Sequence, residues 1–136
     1  MIQRIQPDRA KGRSMIQAAA IDMGYQLGIS PTIQSGISII RGIYESFRML
    51  GDALLTIRGK KAIGPDHHIE MIEELFTLSV STVRPMRALL NLKNLRRNIN
   101  YEGYIPTLLE INNAMDFARI AFPPLLEGVK KECEKP

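Results

Sequence analysis

The residues best suited to chemistry lie close together, at positions 91–106. This stretch begins with alternating apolar and basic residues typical of a helix, which Gly103 and Pro106 are expected to end. Guanidinium groups suit phosphate because their forked donors match two oxygens and their charge persists at neutral pH. Amides can read base edges, and phenols can stack on bases. The stretch therefore predicts RNA or nucleotide binding by Lys93, Arg96, Arg97, Asn98, Asn100, Tyr101 and Tyr104.

The basic residues of this helix do not all share a face. Helical spacing clusters Lys93, Arg96 and Arg97, whereas Arg84 and Arg87 point elsewhere. A solvated helix face is the ordinary alternative to a phosphate site. For the amides and phenols that follow, the alternative is a helix end whose side chains only fix the next loop.

A metal site can also be drawn at the start of the third helix. His67, Glu70 and Glu74 share a helix face by spacing, and imidazole and carboxylate groups are zinc ligands. However, acidic residues are favoured in the first turns of any helix because of its dipole. We therefore predict no metal and no cofactor. Motifs for a phosphate loop or a serine nucleophile are lacking, so no catalytic residue is assigned.

The composition indicates one globular domain covering residues 1–136. The chain is 45% hydrophobic and 24% charged, and its net charge of +4 favours anionic partners. Cys133 is the only cysteine, which suggests a reducing compartment. No apolar run approaches the roughly 18 residues of a membrane span, so we expect a cytoplasmic protein with no membrane partner. Residues 1–7 and 125–136 are expected to be loosely attached.

Apolar residues recur at three- and four-residue intervals along most of the chain, which is typical of amphipathic helices. In the second helix they form a narrow apolar stripe of Ile33, Ile37, Ile40, Tyr44, Phe47, Leu50, Leu54 and Ile57. Asp8 and Ser30 are predicted to cap the first and second helices, while Thr107 and Glu110 form a capping box for the fifth. Pro123 and Pro124 are predicted to end the fifth helix. The expected helices cover about residues 8–29, 31–59, 66–80, 83–101 and 107–122. The prediction is an all-α antiparallel up-and-down bundle of four to five helices.

The apolar pattern of the fourth helix suggests contacts from two directions. Met86, Leu89 and Leu90 share one side of its first half. In its second half, the nearly opposite side carries Leu92, Leu95 and Ile99. Because a bundle covers only one side of a helix, the second side predicts another subunit and hence a homodimer.

Three segments together resemble the HEPN superfamily, the higher-eukaryote and prokaryote nucleotide-binding domain. They are the long second helix, the Gly-Pro-Asp-His-His segment at 64–68, and Leu-Arg-Arg-Asn-Ile-Asn-Tyr at 95–101. The likeness covers roughly residues 33–115. It implies a bundle of four or five helices that dimerises through the motif helix and binds nucleotides or RNA. Many members are metal-independent ribonucleases of toxin-antitoxin or defence systems, often beside a small nucleotidyltransferase partner protein.

The chain departs from the motif of that superfamily, in which a polar residue follows Arg and His lies four to six residues beyond it. Arg97-Asn98 matches the opening, but no histidine follows. Arg96 with Asn100-Tyr101 resembles an Arg-x-x-x-Asp-Tyr variant that has Asn in place of Asp. RNA cleavage needs groups that move protons, so ribonuclease activity is expected to be weak or absent. The competing hypothesis is a non-enzymatic helical protein that mediates dimerisation or other interactions.

Overall fold

The computed structural model describes residues 1–79 and 85–136. Within these ranges the chain forms a helical bundle with one small two-stranded sheet, so the predicted all-α class is confirmed. The predicted end of the third helix at residue 80 and start of the fourth at residue 83 lie outside the described residues. The elements are β1 (Ile2–Arg4), α1 (Arg9–Leu27), α2 (Ile33–Ile57), β2 (Lys60–Ala62), α3 (His67–Leu75), α4 (Pro85–Glu102) and α5 (Leu108–Glu134).

The long helix α2 is the centre of the bundle, and α1, α3, α4 and α5 all contact it. Its predicted apolar stripe is buried from Ile40 to Ile57, although Ile33 at the first turn is 48% exposed. Gly51 allows α3 to pack directly on the backbone of α2. A Cβ atom at this position would lie 2.0 Å from the carbonyl oxygen of Met71, so any larger residue would push the two helices apart.

Capping follows the prediction at two helices and differs at a third. Asp8 accepts a hydrogen bond from the Lys11 amide at 2.9 Å, and the Thr107 capping box is present. At α2 the cap is Thr32 rather than the predicted Ser30. Thr32 and Ser35 form a reciprocal box, in which each hydroxyl accepts from the amide of the other residue at 2.9–3.0 Å. This pair satisfies two free donors at once, which a cap at Ser30 would not do.

The prediction that Pro123 and Pro124 end α5 is wrong, because the helix continues through both to Glu134. The prolines remove two amide donors, whose partners would be the carbonyls of Arg119 and Ile120, four residues earlier. Both of these residues are exposed, so water can reach this side of the helix. Burial of apolar residues on either side of the proline pair holds the helix together.

Neither end of the chain is loosely attached as expected. β1 pairs antiparallel with β2, and Ile2 lies opposite Ala62. At the other end Leu125, Val129 and Cys133 are buried in the core. Their four-residue spacing continues the apolar face of α5, which explains why the last turns pack against the bundle. No helix among the described residues combines the length and apolar character needed to cross a bilayer.

Helix α4 uses one face where two had been predicted. Leu89, from its first half, and Leu92 and Ile99, from its second, all belong to the same core, and Leu95 packs against it. The side chain of Met86 lies outside the described residues. Spacings of three and seven residues keep Leu89, Leu92 and Ile99 on one side of the helix, so no switch of sides occurs. The apolar pattern therefore no longer argues for a second subunit, and the homodimer stays a prediction.

Candidate functional site

The structure gathers polar residues where α2 meets α3 and α4. Helix α2 presents residues 41, 44, 45 and 48 on one face, because their spacings of three, four and seven residues match the helical repeat. Helix α4 adds residues 96 and 100, one turn apart, and α3 adds residue 68. We call this set the arginine cluster. It consists of Arg41, Tyr44, Glu45, Arg48, His68, Arg96 and Asn100.

Two contacts fix α4 against α2 in this cluster. The Nε atom of Arg41 donates a hydrogen bond to Oδ1 of Asn100 at 2.7 Å. The guanidinium carbon of Arg96 lies 4.8 Å from the centroid of the Tyr44 ring, which is cation–π geometry. Two residues predicted from the sequence, Arg96 and Asn100, are therefore brought to partners on another helix.

Glu45 and Arg48 form an ion pair beside these contacts. The Nε atom of Arg48 donates to Oε2 of Glu45 at 2.9 Å, and its Nη2 contacts the other carboxylate oxygen. Burial alone would raise the pKa of Glu45. The hydrogen bond and charge of Arg48, helped by the charge of Arg96, outweigh burial and lower that pKa. Glu45 is therefore a carboxylate at neutral pH.

The cluster nevertheless has an excess of positive charge. Arg41, Arg48 and Arg96 contribute three guanidinium groups. Glu45 belongs to the cluster and Asp52, whose charge also raises the pKa of Arg48, lies one turn further along α2. Three positive charges against two negative ones leave a site that attracts anions.

The hydroxyl group of Tyr44 is the unusual feature of the cluster. The residue is 0% exposed, and its hydroxyl has no hydrogen-bond partner within the described residues. Burial raises the pKa of this phenol, and the opposing charges of Arg96 and Arg48 are the smaller influence. The group is therefore a neutral donor. Buried polar groups normally have partners, so this hydroxyl is an exception among the described residues.

His68 is a member of the cluster that sequence reasoning missed. The residue is half-buried, and its pKa is lowered chiefly by burial and then by the charges of His67, Arg48 and Arg96. A neutral imidazole is therefore favoured at neutral pH. The signal was hidden because His68 and Arg96 lie on different helices, far apart in the sequence. Only the packing of α3 and α4 on α2 brings them to one site.

The other missed residues had a weak signal in the sequence. Arg41, Glu45 and Arg48 place charges at helical spacing on α2, which is the most extensively buried helix of the bundle. Charged groups on such a helix need partners or a function, because burial of an unpaired charge is costly. This reasoning would have directed attention to α2 as well as to α4.

The remaining predicted residues do not all join the cluster. Lys93 is half-exposed and Arg97 exposed, and their helical spacing places both next to Arg96. Asn98 is exposed and lies on another side of α4. Tyr101 is 77% exposed. The structure thus supports a surface of Lys93, Arg96, Arg97 and Asn100, and sets Asn98 apart from it.

Tyr104 has a structural contact instead. Its hydroxyl donates to Oε1 of Glu110 at 2.6 Å, and this hydrogen bond raises the pKa of the phenol. The same carboxylate accepts from the amide of Thr107 at 2.9 Å. Tyr104 therefore supports the capping box of α5, as in the alternative in which polar side chains fix the loop.

The alternative metal site at the start of α3 does not assemble. Glu70 contacts the terminal amine of Met1, and Glu74 accepts a hydrogen bond from Arg58 at 2.9 Å. Nδ1 of His67 lies 2.8 Å from the carbonyl oxygen of Gly64. In the part of the chain that the structure describes, no group of three or more His, Cys, Asp or Glu residues is arranged to hold a metal ion.

The chain was compared with protein-family models, with curated proteins and with solved structures. None of these three comparisons gave a match.

Proposed function

We propose that this protein binds the phosphate groups of RNA or of a nucleotide at the arginine cluster. The observation that supports this proposal most is that Arg41, Arg48 and Arg96 meet at one surface, where only Arg48 pairs with a carboxylate among the described residues. Guanidinium groups and a neutral phenol are all donors, and a phosphate offers several acceptor oxygens. The excess of positive charge would also speed the approach of a polyanion.

The surface beside the cluster suits a longer ligand. Lys93 and Arg97 extend the positive charge along α4, and the exposed ring of Tyr101 can stack on a base. These features favour a strand of RNA lying along α4. The resemblance to the HEPN superfamily points to the same class of ligand. Its further implications, a homodimer and a toxin-antitoxin or defence role with a nucleotidyltransferase partner, are part of the proposal.

The binding proposal is tested by fluorescence anisotropy with labelled single-stranded RNA. Arg96→Ala should weaken binding about tenfold or more and lower the slope of its salt dependence by about one. Arg119→Ala is the matched control, because Arg119 is an arginine of α5 whose contacts are with Asp116 and the Leu27 carbonyl. Equal affinities of wild type and Arg96→Ala would remove the proposal.

RNA cleavage is a second candidate function, and His68 is the observation that favours it. The sequence provides no histidine after Arg97, yet His68 lies one turn before Met71 on α3, and the Met71 sulfur accepts a hydrogen bond from Arg48 at 3.1 Å. Burial, and then the charges of His67, Arg48 and Arg96, lower the pKa of His68. A neutral imidazole can take the proton of a ribose 2′-hydroxyl as that oxygen attacks the adjacent phosphorus. The bond to the 5′-oxygen then breaks and that oxygen takes a proton from solvent. The products would be a 2′,3′-cyclic phosphate and a 5′-hydroxyl.

Cleavage is measured with the wild type and His68→Gln in the presence of a chelator. If His68 is the base, the variant should lose at least about a hundredfold in rate while binding RNA as before. His67→Gln is the matched control, since the two histidines are neighbours and only His68 is placed in the cluster. Cleavage that is absent in wild type, or equal in His68→Gln, would leave binding as the function.

A further inference from the structure

A groove of about 590 Å³ lies between α1 and α2, next to the arginine cluster. Six of the eight residues that line it have polar side chains. Helix α1 contributes Asp22 and Gln26, while α2 contributes Gln34, Ser38, Arg41 and Glu45.

The groove and the arginine cluster share two residues. Arg41 forms part of the groove and also donates to Asn100 of α4, and Glu45 lines the groove while it pairs with Arg48. A phosphate bound near Arg41 would therefore place whatever is attached to it within reach of the groove. The two features are parts of one continuous surface.

Gln26 is the residue in this groove that needs a ligand. It is 7% exposed, and its Oε1 atom is buried without a hydrogen-bond partner among the described residues. The side chain is held against α2 because Gly42 leaves space for it. A Cβ atom at Gly42 would lie 2.1 Å from Cδ of Gln26. The packing thus fixes an amide whose carbonyl oxygen lacks a donor.

A second acceptor lies one turn away on the same helix. Ser46 donates to Oδ2 of Asp22 at 3.1 Å, which leaves Oδ1 of that carboxylate as a further acceptor beside Gln26. Two acceptors on one wall of the groove require donors on the ligand. Adenine, cytosine and guanine each carry an exocyclic amino group with two donor hydrogens, which can serve two acceptors at once. Uracil has carbonyl oxygens instead of an amino group, and its base offers only the single N3–H donor.

We infer that this groove holds the base of a nucleotide, that Gln26 reads an exocyclic amino group of that base, and that the attached phosphate lies at the arginine cluster. This inference depends on the proposed function, because the cluster supplies the phosphate site. It adds a ligand class, which is a nucleotide unit with an amino-bearing base. Gly42 and Gln26 act together, since the glycine positions the amide.

The inference is tested by isothermal titration of the wild type with AMP, CMP, GMP, UMP and ribose 5-phosphate. At least one amino-bearing nucleotide should bind about tenfold or more tightly than UMP and ribose 5-phosphate. Gln26→Leu keeps a similar volume but removes the amide. It should abolish this advantage and leave the affinity for ribose 5-phosphate unchanged.

A second variant keeps the test valid if Gln26→Leu does not fold. Gly42→Ala forces the Gln26 amide away from α2, so it should also abolish the advantage of the amino-bearing base. Thermal melting shows whether each variant is folded. Equal affinities for all five ligands in the wild type, or an advantage that survives in a folded variant, would overturn the inference.

Failure of the inference is distinguishable from failure of the proposed function. Ribose 5-phosphate that binds, and binds less tightly to Arg96→Ala, supports the phosphate site whatever the base preference. If neither ribose 5-phosphate nor any nucleotide binds, and Arg96→Ala leaves RNA binding unchanged, both proposals fail together.

The nucleotide unit can be free or part of an RNA strand, and competition separates these sources. A hexanucleotide of the preferred base is compared with its mononucleotide as a competitor of labelled RNA. A gain of about tenfold or more for the strand identifies RNA, because contacts along Lys93 and Arg97 then add to the groove. A smaller gain identifies the free nucleotide. Hexanucleotides that bind without any preference for the base would overturn the base-reading role of Gln26.

Discussion

Two regions of this protein are built around partly buried arginines, and they differ in how the charge is balanced. In what we call the Arg58 network, Arg58 donates to Glu132 at 3.0 Å and to Glu74 at 2.9 Å, and Lys60 lies 3.5 Å from Glu74. Lys135 also lies 2.8 Å from Glu132, so each of the three cations in this network is paired with a carboxylate. In the arginine cluster only Arg48 pairs with a carboxylate among the described residues, whereas Arg41 donates to Asn100 and Arg96 lies over the ring of Tyr44. The hydroxyl of Tyr44 also has no partner within the described residues.

The comparison shows that the environment, and not the residue type, separates a structural arginine from one available to a ligand. Burial would lower the pKa of Arg58, but the hydrogen bonds and charges of Glu74 and Glu132 raise it instead. The Arg58 network therefore joins the end of α2 to α3 and α5. The cluster keeps unused donors, and this asymmetry is why we place the function there.

Removing the central arginine of each region should affect stability differently. Arg58→Leu removes the guanidinium group from Glu74 and Glu132, which are 11% and 18% exposed, and leaves them only Lys60 at 3.5 Å and Lys135 at 2.8 Å. We expect a loss of about 2 kcal/mol in the free energy of unfolding, measured by urea denaturation. Arg96→Leu, which loses only the contact with Tyr44, should cost less than about 1 kcal/mol. A larger loss for Arg96→Leu would mean that the cluster is the structural region.

For RNA binding we expect the opposite result: substitutions in the arginine cluster should lower the affinity more than substitutions in the Arg58 network. Arg41→Ala removes a cation of the cluster and the contact with Asn100, so RNA affinity should fall by about five- to tenfold. Lys60→Ala removes a cation of the Arg58 network and should leave affinity within about twofold. Parallel anisotropy titrations of these variants at one salt concentration measure the difference. Similar losses for both would show that overall charge, and not the cluster, governs binding.

Neutralising one carboxylate in each region should also affect RNA affinity and stability differently. Glu45→Gln takes the negative charge out of the cluster, and RNA affinity should rise by about two- to fivefold because repulsion of phosphate is relieved. Glu74→Gln removes an acid of the Arg58 network and should lower stability without changing affinity. An affinity that stays constant or falls in Glu45→Gln would place the phosphate elsewhere.

The smallest expected effect is a pH dependence of stability that arises in the cluster. Because the folded-state pKa of His68 is lowered, the unfolded chain binds the proton more readily. Stability should therefore fall as the pH drops through the ordinary histidine pKa of about 6.5. Once the pH is below the folded-state pKa of His68, this contribution to the free energy of unfolding is lost completely. The glutamates with lowered pKa values are Glu45, Glu110 and Glu132, and they keep their contribution to stability until the pH falls below about 4.3.

Urea denaturation between pH 7.5 and 5.5 measures this dependence. His68→Gln should flatten the curve, and His67→Gln should retain the slope. Bound nucleotide should also raise the pKa of His68, because a phosphate anion opposes the charges of Arg48 and Arg96. A flat wild-type curve would show that His68 does not experience those charges.

The sequence predicts the elements of this fold better than the contacts between them. Periodicity and capping identify the five helices, because both are local properties of the chain. The continuation of α5 through Pro123 and Pro124 was missed, since burial of Phe122 and Leu125 overrides the local effect of proline. The single buried face of α4 was missed because the apolar pattern of the helix was considered in two separate halves. Leu89, Leu92 and Ile99 are spaced so that all three lie on one side of the helix.

Only part of the candidate site could be predicted from the sequence, because the site joins residues of several helices. Arg96 and Asn100 are visible as a polar helix end, and the structure places both in the cluster. Their partners Arg41, Tyr44 and His68 come from helices far away in sequence, so no local pattern joins them. Tyr44 was interpreted as part of the apolar stripe, which is correct for its ring, but the unpartnered hydroxyl is visible only after α4 packs on α2.

The central claim is that the guanidinium groups of the cluster, and not those of the Arg58 network, receive the phosphate. The most direct measurement follows the Nε–Hε resonances of the arginines by NMR during titration with single-stranded RNA, after assignment by Arg→Lys variants. We predict saturable shifts for Arg41, Arg48 and Arg96 and constant positions for Arg58 and Arg119. Constant resonances for the three cluster arginines at saturating RNA, or equal shifts for Arg58, would contradict the claim.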